Sequence, residues 1–267
     1  MERAKKIRSF DNWKATVVWL ATVLSIMIIL FLAIESKSMM ALKAVQVNIL
    51  EVPNQKAIIS EKIILEKLNT YLGFDVEAAN IQDLNLVEIE HFIKTDDRIK
   101  SVEVFLDGGE KVHIEIVQRK PLIRVMTNNV NYYIDEEGKQ IGKIHGIAIR
   151  VPIVTGELSA YNELFLTEEY DGTLKEVFEL ALMLRDDKFL SALIEQIHVN
   201  ELYEMVLIPK LGDEDLVFGS IENANEKLNN IKDFYVHGMP KSGWNKFHTL
   251  TFKYKGKDGE GILFAEK

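Results

Sequence analysis

An uncharged run of twenty residues constrains this chain more than any other feature of its sequence. Residues 15–34, ATVVWLATVLSIMIILFLAI, contain no Asp, Glu, Lys, Arg or His. As an α-helix the run is about 30 Å long, which matches the hydrocarbon core of a bilayer. We therefore predict a transmembrane helix over residues 15–34.

The residues before this run are basic. Positions 1–14 hold five Lys or Arg residues and two acidic residues. Because cytoplasmic flanks of membrane helices carry an excess of Lys and Arg, we predict a cytoplasmic tail at 1–14 and outer domains after the helix. A cleaved signal peptide is the alternative. It would have a shorter apolar region and small residues at a cleavage site, whereas AIESKSMM at 33–40 carries charges and methionines.

The part of the chain beyond the tail is acidic. Subtracting the tail from the totals of 32 basic and 41 acidic residues leaves 27 and 39, a net charge of −12. Such a surface disfavours nucleic acid and anionic lipid as main partners. The chain has no cysteine, so disulfides, thiolate catalysis and cysteine-bound zinc are excluded.

Residues 42–119 show the pattern of one small α+β unit. Apolar residues alternate in the predicted strands and recur at helical spacing in the predicted helices. Ser60 and Gly73 stand where a helix begins and ends, and Asp107-Gly108-Gly109 is a strong hairpin signal. The predicted order is β-α-α-β-β: a strand at 44–49, a helix at 61–72, a helix from Asp83 or Asn85, and two strands around Asp107.

Residues 120–267 predict a β-rich domain with about two to three helices. Short extended runs are separated by turns such as Glu137-Gly138, and two segments have helical spacing. The fold class is therefore α+β. The predicted elements are strands at 122–126, 131–135, 146–154, 196–199, 203–209 and 215–219, helices at 173–194 and 222–236, and final strands at 247–254 and 261–265.

We find no catalytic, cofactor or metal motif in the sequence. The glycines at 138 and 142 enclose three residues where a phosphate loop needs four, and the six histidines form no i, i+4 pair. No Gly-x-Ser-x-Gly is present. Asp96-Asp97 and Asp186-Asp187 stand where helix ends or caps are expected, which favours solvated caps over paired catalytic acids. We predict no enzyme activity, no cofactor and no metal.

The strand FHTLTFKY, residues 247–254, is the most unusual remaining feature. It is long, rich in aromatic residues, and lies near the C-terminal end of the sequence. A strand in this position is either an ordinary paired strand or a sheet edge whose unpaired backbone groups accept another chain. The residues alone leave both alternatives open.

The order of these segments resembles the bacterial FtsQ/DivIB cell-division family. DDRIKSVEVFLDGGEKVHIEIVQRKPLIRV, followed by YYIDEEGKQI, is similar to that family's POTRA domain, its basic-Pro joint, and a β domain that opens with an Asp-x-x-Gly turn. Gln118 stands where the family usually has an acidic residue. The joint matches at Arg119, Lys120 and Pro121. The resemblance implies a POTRA domain at 42–119 and a β domain at 120–267.

This resemblance implies a non-enzymatic divisome scaffold at the septum. Such proteins bind FtsB/DivIC-like and FtsL-like single-pass partners by β-strand addition and help to activate septal peptidoglycan synthesis. The POTRA domain implies contacts with further division proteins. The resemblance places strand addition on the penultimate strand, with a free edge along 247–254. The implied partner-binding residues are Phe247, Thr249, Leu250, Thr251, Phe252, Lys253 and Tyr254.

At the joint, we expect Arg119 and Lys120 to face water and to fix its angle together with local acidic residues. Pro121 is expected to be the first residue of a new strand, because proline donates no ladder hydrogen bond. Two other functions stay open. One is a POTRA-bearing protein of polypeptide export or outer-membrane assembly, and the other is a membrane-anchored envelope enzyme.

Overall fold

The computed structural model describes residues 2–38, 41–50, 57–242, 247–253 and 264–266. The chain folds as two compact units. The first contains Met1–Leu50, Ile59–Asp96 and Ser101–Val117, and the second contains Glu51–Ile58, Asp97–Lys100 and Gln118–Lys267. Each unit is described separately below.

The N-terminal helix α1 runs from Glu2 to Ser38. Within it, Trp13–Ala33 is a 21-residue stretch with a mean hydropathy of 2.6, long and apolar enough to cross a membrane. Hydroxyl groups within this stretch bond to the preceding turn, since Thr22 Oγ1 donates to the carbonyl of Trp19 and Ser25 Oγ to that of Thr22. These bonds reduce the cost of placing polar side chains in lipid. The predicted apolar helix is confirmed.

The first unit has the predicted β-α-α-β-β order. Its three-stranded sheet has the order β1-β3-β2, with β1 parallel to β3, and helices α2 and α3 connect β1 to β2. Ile64 and Leu68 of α2 and Ile89 and Ile93 of α3 are buried, because the 3.6-residue period puts them on one face of each helix. The bounds are β1 Ala44–Leu50, α2 Glu61–Leu72, α3 Leu86–Lys94, β2 Ile99–Leu106 and β3 Lys111–Gln118.

The hairpin between β2 and β3 is held by the Asp107 side chain, as its sequence predicts. Asp107 Oδ1 accepts hydrogen bonds from the backbone N–H groups of Gly109 at 2.8 Å and Lys111 at 2.9 Å, and Oδ2 lies 3.1 Å from Nε2 of His113. The hydrogen bond from Lys111, followed by that from His113, lowers the pKa of Asp107 to about 2. The carboxylate therefore stays charged over most of the pH range.

The second unit is built on a nine-stranded sheet with the order β12-β11-β10-β9-β8-β7-β4-β5-β6. Apolar residues from the sheet and from the helices at Thr173–Asp186, Lys188–Leu193 and Ala224–Asp233 form its main core, in which Phe165, Leu207 and Phe218 are fully buried. The strands are β4 Pro121–Met126, β5 Asn131–Asp135, β6 Gln140–Ile141, β7 Ile153–Gly156, β8 Ile194–Val199, β9 Met205–Pro209, β10 Asp215–Gly219, β11 Thr249–Thr251 and β12 Phe264–Glu266.

The prediction of one long helix at 173–194 is wrong in one respect. The structure has α4 at Thr173–Asp186 and a separate α5 at Lys188–Leu193. Asp187 divides them because its Oδ1 accepts the N–H groups of Phe189 and Leu190, which caps the new helix. The strand predicted at 146–154 is also shorter than expected, since β7 begins at Ile153.

The last helical segment changes its winding near its end. Helix α6 runs from Ala224 to Asp233, a π-helical turn follows at Phe234–Gly238, and the short α7 covers Met239–Ser242. The prediction of one regular helix at 222–236 did not include the π turn. Such turns are rare and occur often at functional sites.

Candidate partner-binding site

The C-terminal end of the large sheet is formed by β10, β11 and β12. Strand β11 pairs in parallel with β10 and antiparallel with β12, so β12 is the end strand. Each of these last two ladders is three residues long. No further strand pairs with the outer side of β12 within the ranges that the structure describes.

The hydrogen bonds of β11 show which way its backbone points. Phe252 N–H donates to the Val217 carbonyl at 2.9 Å, and the His248 carbonyl accepts from Asp215 N–H at 2.8 Å. Because alternate residues of a strand direct their N–H and C=O groups to opposite sides, Thr249 and Thr251 point to β12. Their cross-strand partners there are Glu266 and Phe264.

The same alternation defines the outer edge of β12. Phe264 and Glu266 direct their backbone groups inward to β11, so the N–H and C=O of Ala265 point outward. Ala265 is therefore the residue of β12 whose backbone is available to an added strand. Sequence reasoning missed it, because alternation alone does not reveal which neighbour a strand has on each side.

The expected free edge along 247–254 is wrong for Thr249–Thr251, the part of this range that forms β11. Thr249–Thr251 is hydrogen-bonded on both sides, because β12 occupies the side that was expected to be open. The free edge lies one strand further out, on β12. Tyr254, one of the expected binding residues, lies outside the described residues.

The side chains of this segment divide between the two faces of the sheet. Leu250 and Phe252 are buried, and the Phe234 ring of the π turn lies 6.4 Å from the ring of Phe252 and 6.3 Å from that of Phe247. These three predicted residues thus belong to the core around the π turn. Such aromatic contacts favour one fixed position for β11.

On the other face, Thr249, Thr251 and Lys253 are half-buried. Lys253 Nζ donates to both carboxylate oxygens of Glu204, at 2.9 and 3.2 Å. Glu204 directly precedes β9, so this ion pair connects the end of β11 to the β8–β9 hairpin. The structure therefore brings three of the predicted residues together with the β8–β9 hairpin on one face, a contact that the sequence did not indicate.

A buried carboxylate accepts a hydrogen bond from the π turn. The Tyr235 hydroxyl donates to Oε1 of Glu214, which is buried directly before β10. Burial raises the pKa of Tyr235 well above its ordinary value, and the hydrogen bond to Glu214 raises it further. The phenol therefore remains a donor at all physiological pH values. This pair lies 21 residues apart in the sequence and has no local motif that could have predicted it.

The joint residues form a second polar cluster. Arg119 Nη1 donates to Oδ2 of Asp135 at 2.7 Å, and the exposed fractions of the two side chains are 18% and 3%. Asp135 Oδ1 accepts the N–H groups of Glu137 and Lys139 at 2.9 and 2.7 Å. The expectation that Arg119 faces water is therefore wrong, because its guanidinium neutralises a buried carboxylate.

The positions of Lys120 and Pro121 agree with the predictions made for them. Lys120 is 40% exposed and pairs with Glu136 at 2.6 Å, so it remains at the surface beside an acidic residue. Pro121 is the first residue of β4, as predicted. Gln118 is buried, and its Oε1 accepts the N–H of Ile58 at 2.7 Å. The neutral amide accepts this hydrogen bond without placing a charge in a buried position.

Residues 120–257 match the family model described as FtsQ/DivIB, C-terminal related, which is slightly more than half of the chain. The chain belongs to the FtsQ/DivIB family. The match begins at Lys120 and includes β4 to β11. Comparison with curated proteins gave no match. The family resemblance inferred from the motifs is thus confirmed for the second unit.

Family membership indicates a role in cell division, since FtsQ/DivIB is a non-catalytic division family. Together with the apolar helix α1, it indicates a membrane-anchored division protein.

Proposed function

We propose that this chain is a non-enzymatic divisome scaffold that binds FtsB/DivIC-like and FtsL-like partners by β-strand addition. Binding would link these partners to septal peptidoglycan synthesis. The observation that carries the proposal is the outward-facing backbone of Ala265 on the end strand β12. An end strand with unpaired N–H and C=O groups is a template for a strand of another chain.

The partner-binding residues are reassigned within this proposal. The main-chain contact is on β12. Thr249 and Thr251 of β11, and Lys253 just beyond it, supply side chains two strand spacings, or about 10 Å, from the added strand. Phe247, Leu250 and Phe252 hold β11 in place through the core. Tyr254 stays in the proposed set from its sequence position alone.

The first unit and α1 complete the proposed architecture. The β-α-α-β-β order supports a POTRA domain at 42–119, joined at Arg119-Lys120-Pro121 to the β domain at 120–267. The basic tail supports an orientation with the N-terminus in the cytoplasm and both domains on the outer side, at the division septum.

The described part of this edge is short, which limits what backbone pairing alone contributes to the binding free energy. Ala265 offers one donor and one acceptor, and two hydrogen bonds are worth about 1–3 kcal/mol net. Association costs at least about 4 kcal/mol of translational and rotational freedom. Side-chain contacts near the edge must therefore supply much of the affinity.

The substitution Ala265→Pro tests the proposal directly. Proline removes the outward N–H and places its ring where the added strand would pair, but it leaves the ladder to β11, which uses Phe264 and Glu266. Ala265→Val is the matched control, because it keeps the N–H. We expect co-purification of the full chain with an FtsB/DivIC-like partner to be lost in Ala265→Pro and retained in Ala265→Val. Equal recovery of the partner with both variants would refute strand addition at β12.

A further inference from the structure

The β8–β9 hairpin has an unusual tip, Asn200–Glu204. Tyr203 has a φ of +60°, in the left-handed region that turns usually give to Gly or Asn. A bulky side chain in this region is an outlier that costs free energy. The turn geometry therefore does not require a tyrosine here, because Gly or Asn would adopt it at a lower cost.

Hydrogen bonds of Asn200 fix this tip. Its side-chain Oδ1 accepts the N–H groups of Leu202 and Glu204, both at 2.9 Å. Its backbone N–H donates to the Glu204 carbonyl at 3.0 Å, and Tyr203 N–H donates to the Asn200 carbonyl at 2.9 Å. Four hydrogen bonds within five residues make the tip a rigid platform.

The two side chains on this platform are directed to solvent. Leu202 is 76% exposed and Tyr203 is 63% exposed. Core packing explains neither residue, since both expose most of their surface. Large apolar side chains that project into water from a fixed backbone are typical of contact residues, because little backbone entropy is lost when a partner covers them.

The tip lies at the end of the sheet where β11 finishes and β12 starts. Met205 of β9 pairs with Gly219 at the end of β10, which runs parallel to β11, while β12 runs antiparallel to β11. The ion pair between Glu204 and Lys253 joins the tip to this end. The platform thus lies at the same end of the sheet as the start of β12, the proposed partner edge.

We propose that Leu202 and Tyr203 form a second contact for the chain that adds a strand to β12. This inference rests on the proposed function and deepens it. The occupant is an apolar segment flanking the partner's strand, and exposed Glu201 favours a basic residue beside it. From β9 to an added strand there are four strand spacings of about 4.8 Å, or about 19 Å. The segment therefore needs about six extended residues beyond the strand.

The test uses the full chain in nanodiscs and two probes from the FtsB/DivIC-like partner. One probe is its whole extracytoplasmic part, and the other is the shortest fragment whose binding is abolished by Ala265→Pro. Leu202→Ser and Tyr203→Gly are the variants. Leu211→Ser is the matched control, because Leu211 is 55% exposed in the β9–β10 turn at the opposite end of the sheet.

We expect each tip variant to raise the Kd of the whole probe by about tenfold, the effect of losing an interface anchor. Leu211→Ser should leave it unchanged, and the short fragment should bind all three variants equally. Glycine is the favoured residue at a φ of +60°, so the Tm of Tyr203→Gly should equal or exceed that of the wild type. A merely structural role would lower Tm and binding together.

The remaining outcomes contradict one or both proposals. If both tip variants bind the whole probe with wild-type Kd while Ala265→Pro abolishes binding, the second contact is refuted and strand addition stands. If Ala265→Pro binds normally, both proposals fail. Should Tyr203→Gly disturb the turn, an unchanged Kd for Leu202→Ser is sufficient to overturn the inference.

Discussion

Replacing Arg119 by Met should destabilise the second unit more than any other substitution at the joint. Methionine keeps most of the apolar stem and removes the guanidinium that pairs with Asp135 at 2.7 Å. Breaking a buried ion pair from one side costs about 3–5 kcal/mol, because the other charge remains buried.

The expected value lies at the low end of this range. Asp135 is 3% exposed, but its Oδ1 still accepts hydrogen bonds from the N–H groups of Glu137 and Lys139 after Arg119 is removed. We therefore expect a loss of about 3 kcal/mol in the free energy of unfolding. With a urea m-value of about 2–3 kcal/mol/M, the midpoint should fall by about 1–1.5 M.

Urea unfolding followed by far-UV circular dichroism measures this midpoint, and Lys120→Met is the matched control. Lys120 is 40% exposed in its pair with Glu136, and such pairs are worth about 1 kcal/mol or less. A double variant with Asp135→Asn should recover part of the loss, since it removes the uncompensated charge. The reasoning is refuted if Arg119→Met shifts the midpoint no further than Lys120→Met does.

Two further substitutions test other parts of the structure. Gly156→Ala should cost about 3 kcal/mol or more, because its Cβ would lie 1.8 Å from the Val199 carbonyl at a φ of +94°. Gly146→Ala, at a φ of +77° with open space around it, should cost only about 1 kcal/mol, and equal melting temperatures would contradict this account. Asp107→Asn should make the stability of the first unit depend less on pH in the acid range. The folded pKa of Asp107, about 2, lies below its ordinary 3.8, so its stabilising effect is present above that value and is lost as pH falls towards 2. Urea midpoints measured between pH 6 and about 2 check this, and parallel pH profiles for the wild type and Asp107→Asn would count against it.

Local patterns were sufficient to predict most of the first unit. Ile64 and Leu68 recur at helical spacing, and the Asp107-Gly108-Gly109 turn fixes the hairpin through hydrogen bonds within four residues. These signals depend only on residues that are close together in the sequence, so they can be recognised without knowing the fold. The same reasoning failed at Asp187, where a capping side chain divided a continuous helical pattern.

The candidate site was harder to predict because it depends on distant pairings. The alternation in FHTLTFKY indicates a strand, but it does not specify that residues 264–266 occupy its outer side. The ion pair between Arg119 and Asp135 joins residues 16 positions apart, which only the fold brings into contact. The π turn at Phe234 is equally invisible, since it has the apolar spacing of an ordinary helix.

The position of β12 in the chain has a consequence for assembly. Among the described strands of the sheet it comes latest in the sequence, and its register depends on β11, which itself pairs with β10. Under the proposed binding mode and the proposed membrane orientation, a nascent chain therefore has no partner edge until residues 264–266 have crossed the membrane and docked. Recruitment of the partner would then require that residues 264–266 are exported and paired with β11, so copies in which this segment has not crossed or is missing would not recruit it to the division site.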